Sequence, residues 1–105
     1  MNQLVRLTAQ EAVGLLAAKQ ISPLELIDAA VERIEETDTA VNALPTLAGE
    51  RARQHATQLI SSGPPTDLPP GYLHGLPIAV KDLKDVAAVR STKGSTIFAE
   101  HVPER

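Results

Sequence analysis

Gly75-Leu76-Pro77-Ile78-Ala79-Val80-Lys81-Asp82 holds three consecutive apolar residues between a glycine–proline entry and an abrupt charged exit. No polar residue alternates within Ile78–Val80, so the run reads as a short strand buried on both faces, at about 77–81. Lys81 falls where that strand ends. Strand ends at the edge of an α/β core open into loops while the sheet holds the backbone still, and catalytic groups tend to sit there.

Working outward, the segment before it reads as helices joined by a long connector. Thr8-Ala-Gln-Glu11 is a capping-box pattern, followed by Ala12, Val13, Leu15 and Leu16, with Lys19 near the close; a helix is expected over about 8–20. Ser22-Pro-Leu-Glu25 repeats the pattern, with proline at the first helical position and Ile21 and Leu26 as a hydrophobic staple. Leu24, Ile27, Ala30, Val31 and Ile34 then form one apolar stripe, giving a helix over about 22–37 that ends near Asp38. The charges from Glu32 to Glu36 read as its solvated face. Val41–Thr46 contains Pro45, which cannot donate to a ladder, so a strand over about 42–46 is at best an edge. Helical composition returns over about 47–61, with His55 having no ligand partner at Leu59, four residues on.

Residues 61–75 carry Gly63, Pro64, Pro65, Pro69, Pro70, Gly71 and Gly75, which read as a surface loop leading into the central strand. His74, in that loop, is a conceivable general base beside Lys81 but is not assigned one. After Lys81, Val86–Val89 reads as another short extended piece at about 86–89, and a helix is expected over about 95–101, before Pro103. Gly94-Ser95-Thr96 lacks the glycine density of a phosphate loop.

Composition bounds the function. The 105 residues make one domain or part of one, able to bury about 60–70% of the unfolded surface. Aromatics are 2%, leaving the core to aliphatic side chains and little for base stacking. A net charge of −3 gives no basic face for nucleic acid. The absence of cysteine excludes disulfides and thiolate metal sites and fits a cytoplasmic protein. Met1–Leu7 has no signal-peptide pattern, and no apolar run approaches the roughly 20 residues of a membrane span. No nucleic acid, membrane, cofactor or metal partner is therefore expected.

His74-Gly-Leu-Pro-Ile-Ala-Val-Lys-Asp82, followed by Asp85-Val-Ala-Ala-Val-Arg-Ser-Thr92 and Gly94-Ser95, resembles the lysine segment of the amidase signature family, and the order of the preceding elements resembles that family's start. The family includes acyl-amide hydrolases, fatty-acid amide hydrolases and the A subunit of tRNA-dependent amidotransferases. Ala88 departs from the pattern, since members commonly have glycine there; a change of loop conformation is expected from it. The family's Gly/Ser-rich signature, with both catalytic serines, has no counterpart in residues 1–105. The resemblance implies that the chain is the N-terminal segment of an amidase domain. Its α/β class would be part of an α/β/α sandwich with a mixed central sheet.

It also implies a Ser-cisSer-Lys mechanism for amide hydrolysis. A lysine takes a proton through a serine in a cis peptide, the nucleophilic serine attacks the amide carbonyl, and backbone N–H groups hold the oxyanion. Lys81 matches that lysine, while Ser22, Ser61, Ser62, Ser91 and Ser95 lack the surrounding glycines of the serine positions. A free lysine is almost wholly protonated at neutral pH, so a base needs burial to shed its proton; the apolar run before Lys81 is expected to help. From spacing alone, Lys81 reads rather as a strand-end lysine paired with a carboxylate such as Asp82 or Asp85, and it is the resemblance that reverses this; Lys84 reads as solvated. The partners implied are a small-molecule linear amide and the remainder of the amidase chain, with a homodimer left open. The alternatives are the glutaminase A subunit of a tRNA-dependent amidotransferase, and a non-catalytic helical interaction module or gene remnant. Residues 1–105 alone are expected to be inactive.

Overall fold

The computed structural model describes residues 2–105. Its regular elements are three α-helices, α1 (Ala9–Ala17), α2 (Pro23–Val41) and α3 (Gly49–Ser62), with 3₁₀ turns at Gln3–Arg6 and Thr96–Phe98. The chain divides into two compact units. One comprises the residues up to Ala43 with Gly49–Pro77, and the other Leu44–Ala48 with Ile78–Arg105.

The helical unit is built from its caps inward. Thr8 Oγ1 accepts from the Glu11 amide at 3.1 Å while Glu11 Oε2 accepts from the Thr8 amide at 2.8 Å, so both expected donors are satisfied. Ser22 and Glu25 form the same reciprocal pair at 3.1 and 3.3 Å. At its other end α1 stops short of Lys19, which lies at φ 59°. The Lys19 amide donates to Leu16 and the Gln20 amide to Leu15, each at 3.0 Å, the hydrogen-bond pattern of a Schellman close. Lys19 thus ends the helix instead of occupying its last turn.

Helix α2 runs a turn beyond its expected end. No glycine or proline lies between Glu35 and Asn42, so propensity alone does not stop it; Thr37 bonds back to the Arg33 carbonyl at 2.8 Å. Asn42 closes it at φ 54°, and Asp38 Oδ1 accepts from the Ala43 amide at 2.7 Å. The buried face is also wider than the expected stripe, since Leu26 and Ala29 are buried with Ile27. Leu26 joins Ala12 and Leu16 in the core, with Leu4, Leu7, Ile21 and Leu76 packed around them. α2 packs on α3 and on the N-terminal 3₁₀ turn. α3 buries Ala56, exposes His55, and begins at Gly49, leaving Leu47 and Ala48 outside it. Gly75, at φ +89°, brings the connector down onto α2: a Cβ there would lie 2.6 Å from Pro23 Cγ and 3.0 Å from Pro23 Cβ.

The expected strands are absent. Among the described residues no β-strand forms, and Val86 and Val89 make an isolated bridge. Residues 42–46 are taken by the Asn42 helix cap and by the irregular stretch around Pro45. Residues 77–81 are unpaired, because Pro77 has no N–H to donate and no neighbouring strand is offered; Ile78 is 70% and Val80 52% exposed. Residues 86–89 are a tight turn closed by the Val89 amide on the Val86 carbonyl at 3.0 Å, with Ala88 at φ 62°. The helix expected over 95–101 is reduced to the 3₁₀ turn Thr96–Phe98, capped by Ser95. Only seven residues separate the Ser95 cap from Pro103, too little chain to propagate a helix on its own.

Candidate active site

The second unit carries Lys81. Its interior is polar: Ser91 and Thr92 are 2% and 8% exposed, while Leu83, Ile97, Phe98 and Val102 lie open. Hydrogen bonds take the place of an aliphatic core. The Arg90 guanidinium spans three segments, with Nε on the Ala99 carbonyl at 2.5 Å and one terminal nitrogen 3.2 Å from both the Pro45 carbonyl and Thr46 Oγ1. Backbone bonds from Ala88 to Pro103 and from Ser91 to His101, both 2.9 Å, bring the C-terminal residues alongside.

Asp82 is the busiest residue of the unit. Its carboxylate accepts from the Thr92 amide at 3.0 Å on Oδ1 and from the Thr92 hydroxyl on Oδ2. Its own carbonyl accepts from Ser91 Oγ at 2.9 Å and from the Lys93 amide at 3.2 Å. The Thr92 hydroxyl first, then the Thr92 amide and the charge of Arg90, hold the Asp82 carboxyl below the usual carboxylate range. Asp85 faces the Lys93 ammonium at 3.3 Å and His101 Nε2 at 3.6 Å.

Lys81 stands immediately before this knot. It is exposed, and its carbonyl accepts from the Lys84 amide at 2.9 Å. Among the described residues it forms no ion pair. Asp82 and Asp85, its two expected carboxylate partners, are engaged by Thr92 and by Lys93 and His101. The apolar wall expected beside Lys81 is not formed by Ile78 and Val80, which face outward. His74 belongs to the helical unit, at φ 54°, its ring edge-on to Tyr72 at 4.7 Å. Of the serines, Ser22 and Ser95 cap helical turns and Ser91 is spent on the carbonyls of Asp82 and Lys84. Among the described residues no group of three His, Asp or Glu side chains is placed to hold a metal ion, and no helix is long and apolar enough to cross a membrane.

Arg90, Ser91 and Thr92 escape a reading by periodicity because they sit in a loop. The available signal is chemical: adjacent Ser and Thr downstream of an Asp are short side chains suited to bonding a turn.

The family model described as Amidase matches residues 25–105. An amidase of Pseudomonas putida is 35% identical over 97 residues, covering 90% of this chain and 20% of the relative. The A subunit of the glutamyl-tRNA(Gln) amidotransferase of Anaeromyxobacter dehalogenans is 36% identical over 102 residues, covering 97% and 20%. That of Desulforamulus reducens is 36% identical over 103 residues, covering 95% and 20%. The chain belongs to the amidase family, and it spans about a fifth of the length of the curated relatives it matches. No solved structure matches it.

Proposed function

We propose that this chain is the N-terminal segment of an amidase that hydrolyses linear amides to a carboxylate and ammonia or an amine, and that Lys81 is its catalytic base. The observation that carries the reading is Lys81 itself: an exposed lysine with no ion pair among the described residues, followed at once by Asp82, which is pinned to Thr92. Its amine is uncommitted and its backbone is held, as a proton acceptor requires. To act as one it must be neutral, and Ile78 and Val80 do not desolvate it here. In this proposal the remainder of the amidase chain covers it, and supplies the cis serine, the nucleophilic serine and the oxyanion donors. The fold is then the helical start of an α/β/α sandwich, in which 77–81 gains its strand neighbours from that remainder.

The test is Lys81→Ala in the complete polypeptide. Ammonia release from simple aliphatic and aromatic amides falls by about 10²–10⁴-fold while thermal unfolding is unchanged. Activity within about tenfold of wild type removes Lys81 from the mechanism. Lys84→Ala and His74→Ala serve as controls that cost little.

The relatives named as amidotransferase A subunits favour a second reading, a glutaminase acting inside a complex. Ammonia release from glutamine that depends on added partner subunits, with simple amides left untouched, selects it.

A further inference from the structure

We propose that Asp82 and Thr92 form a clamp that positions Lys81, so that the carboxylate beside the lysine serves to fix its place and not to share its charge. The inference rests on the reading of Lys81 as the base. Four bonds converge on one residue. The Asp82 carboxylate takes both hydrogen-bonding groups of Thr92, and its carbonyl takes Ser91 Oγ and the Lys93 amide. The Asp82 side chain and its backbone carbonyl are thereby both tied to 91–93, and Lys81 is one peptide bond away along the chain. Among the described residues Thr92 and Ser91 are the buried polar side chains, so the donor side of the clamp is shielded from competing water. Two further facts argue against a charge-pairing role. Each carboxylate oxygen already accepts from Thr92, and among the described residues Lys81 has no ion pair with it. Among the described residues Lys81 has no side-chain bond to hold it, so its placement depends on its backbone. Misplacement of a reacting group by about 1 Å can cost about 10²-fold in rate.

The clamp makes Asp82 and Thr92 positioning residues, with an effect on turnover and not on substrate binding. In the complete enzyme, Asp82→Asn keeps an acceptor for the Thr92 amide and loses the one for its hydroxyl, while Thr92→Val keeps the amide and loses the hydroxyl. Each lowers kcat for a simple amide by about 10–100-fold with KM within about twofold. Each also speeds hydrogen exchange at the Thr92 and Lys93 amides. Thr92→Ser, which restores the hydroxyl, returns kcat to within about threefold of wild type.

Lys81→Ala is measured alongside. If it stays active, the base assignment falls and the clamp's purpose with it. If it is inactive while folded Asp82→Asn and Thr92→Val turn over like wild type, or raise KM alone, the clamp alone falls. Should the two clamp variants fail to fold, Thr92→Ser decides the matter. Near-normal kcat supports the clamp, and a fall to the level of Lys81→Ala overturns it.

Discussion

Ala88 shows how one methyl group bears on a loop. It occupies the third position of the turn Val86–Val89 at φ 62°, where an L-residue brings its Cβ against the following carbonyl. Glycine takes that conformation freely, which accounts for the glycine common there in the pattern this segment resembles. Ala88 adopts that conformation all the same, and its amide donates to the Pro103 carbonyl at 2.9 Å. Ala88→Gly is expected to stabilise the complete protein by about 1 kcal/mol, read as a rise in thermal midpoint; a fall would show that the turn does not carry this strain. The same loop marks what was legible at this scale. Lys81 stands out because an abrupt charge ends an apolar run. Its support by Asp82 and Thr92 depends on a long-range hydrogen bond inside a loop, which no periodicity records.

At the scale of the element, reading succeeded where the chemistry is local. Both capping boxes are complete in the sequence, since cap and glutamate are three residues apart and need no tertiary contact. Ser22→Ala removes the acceptor for the Glu25 amide and is expected to cost about 1 kcal/mol in the complete protein, measured by thermal or denaturant unfolding. An unchanged midpoint would mean that packing of Leu26 and Ile27 alone sets the start of α2. The strands failed because a strand exists only through its neighbours. Ile78–Val80 has the composition of one, but composition supplies no ladder partner, and the tight turn at 86–89 consumes the residues proposed as its neighbour. The end of α2 was misplaced for a different reason: Thr37, Asp38 and Thr39 are poor helix formers, yet nothing there breaks a helix already propagating.

Across the whole chain, burial is uneven. Among the described residues, 12, 16, 26, 27, 29 and 56 supply the buried aliphatic side chains, three of them alanines, and all lie in the helical unit, while the second unit buries Pro103. The second unit leaves Ile78, Val80, Leu83, Ile97, Phe98 and Val102 exposed. Each aliphatic side chain left uncovered forgoes roughly 1.5–3 kcal/mol of burial, against a net stability of about 5–15 kcal/mol for an ordinary domain. Residues 1–105 on their own are therefore expected to show helical far-UV circular dichroism with narrow amide dispersion and no sharp unfolding transition. They are also expected to release no ammonia from amides, having no nucleophile and oxyanion loop to pair with Lys81. A monomer with a dispersed amide spectrum and cooperative melting would instead establish an independent domain.

The approach of Gly75 to Pro23 sets an order on the history of this sequence. With Pro23 in place, Gly75→Ala meets ring carbons at 2.6 and 3.0 Å on a backbone already at φ +89°. A cost of about 2 kcal/mol or more is expected from the left-handed backbone together with the clash. Pro23→Ala removes the ring Cγ and the 2.6 Å contact, leaving the backbone cost and the milder 3.0 Å approach to Cβ. The two substitutions are thus expected to be non-additive in a double-mutant cycle, the pair costing less than the sum. A lineage that reaches alanine at 75 passes more easily through loss of the proline first; the reverse path crosses a deeper valley. Strict additivity of the measured unfolding energies would show that the two positions drift independently.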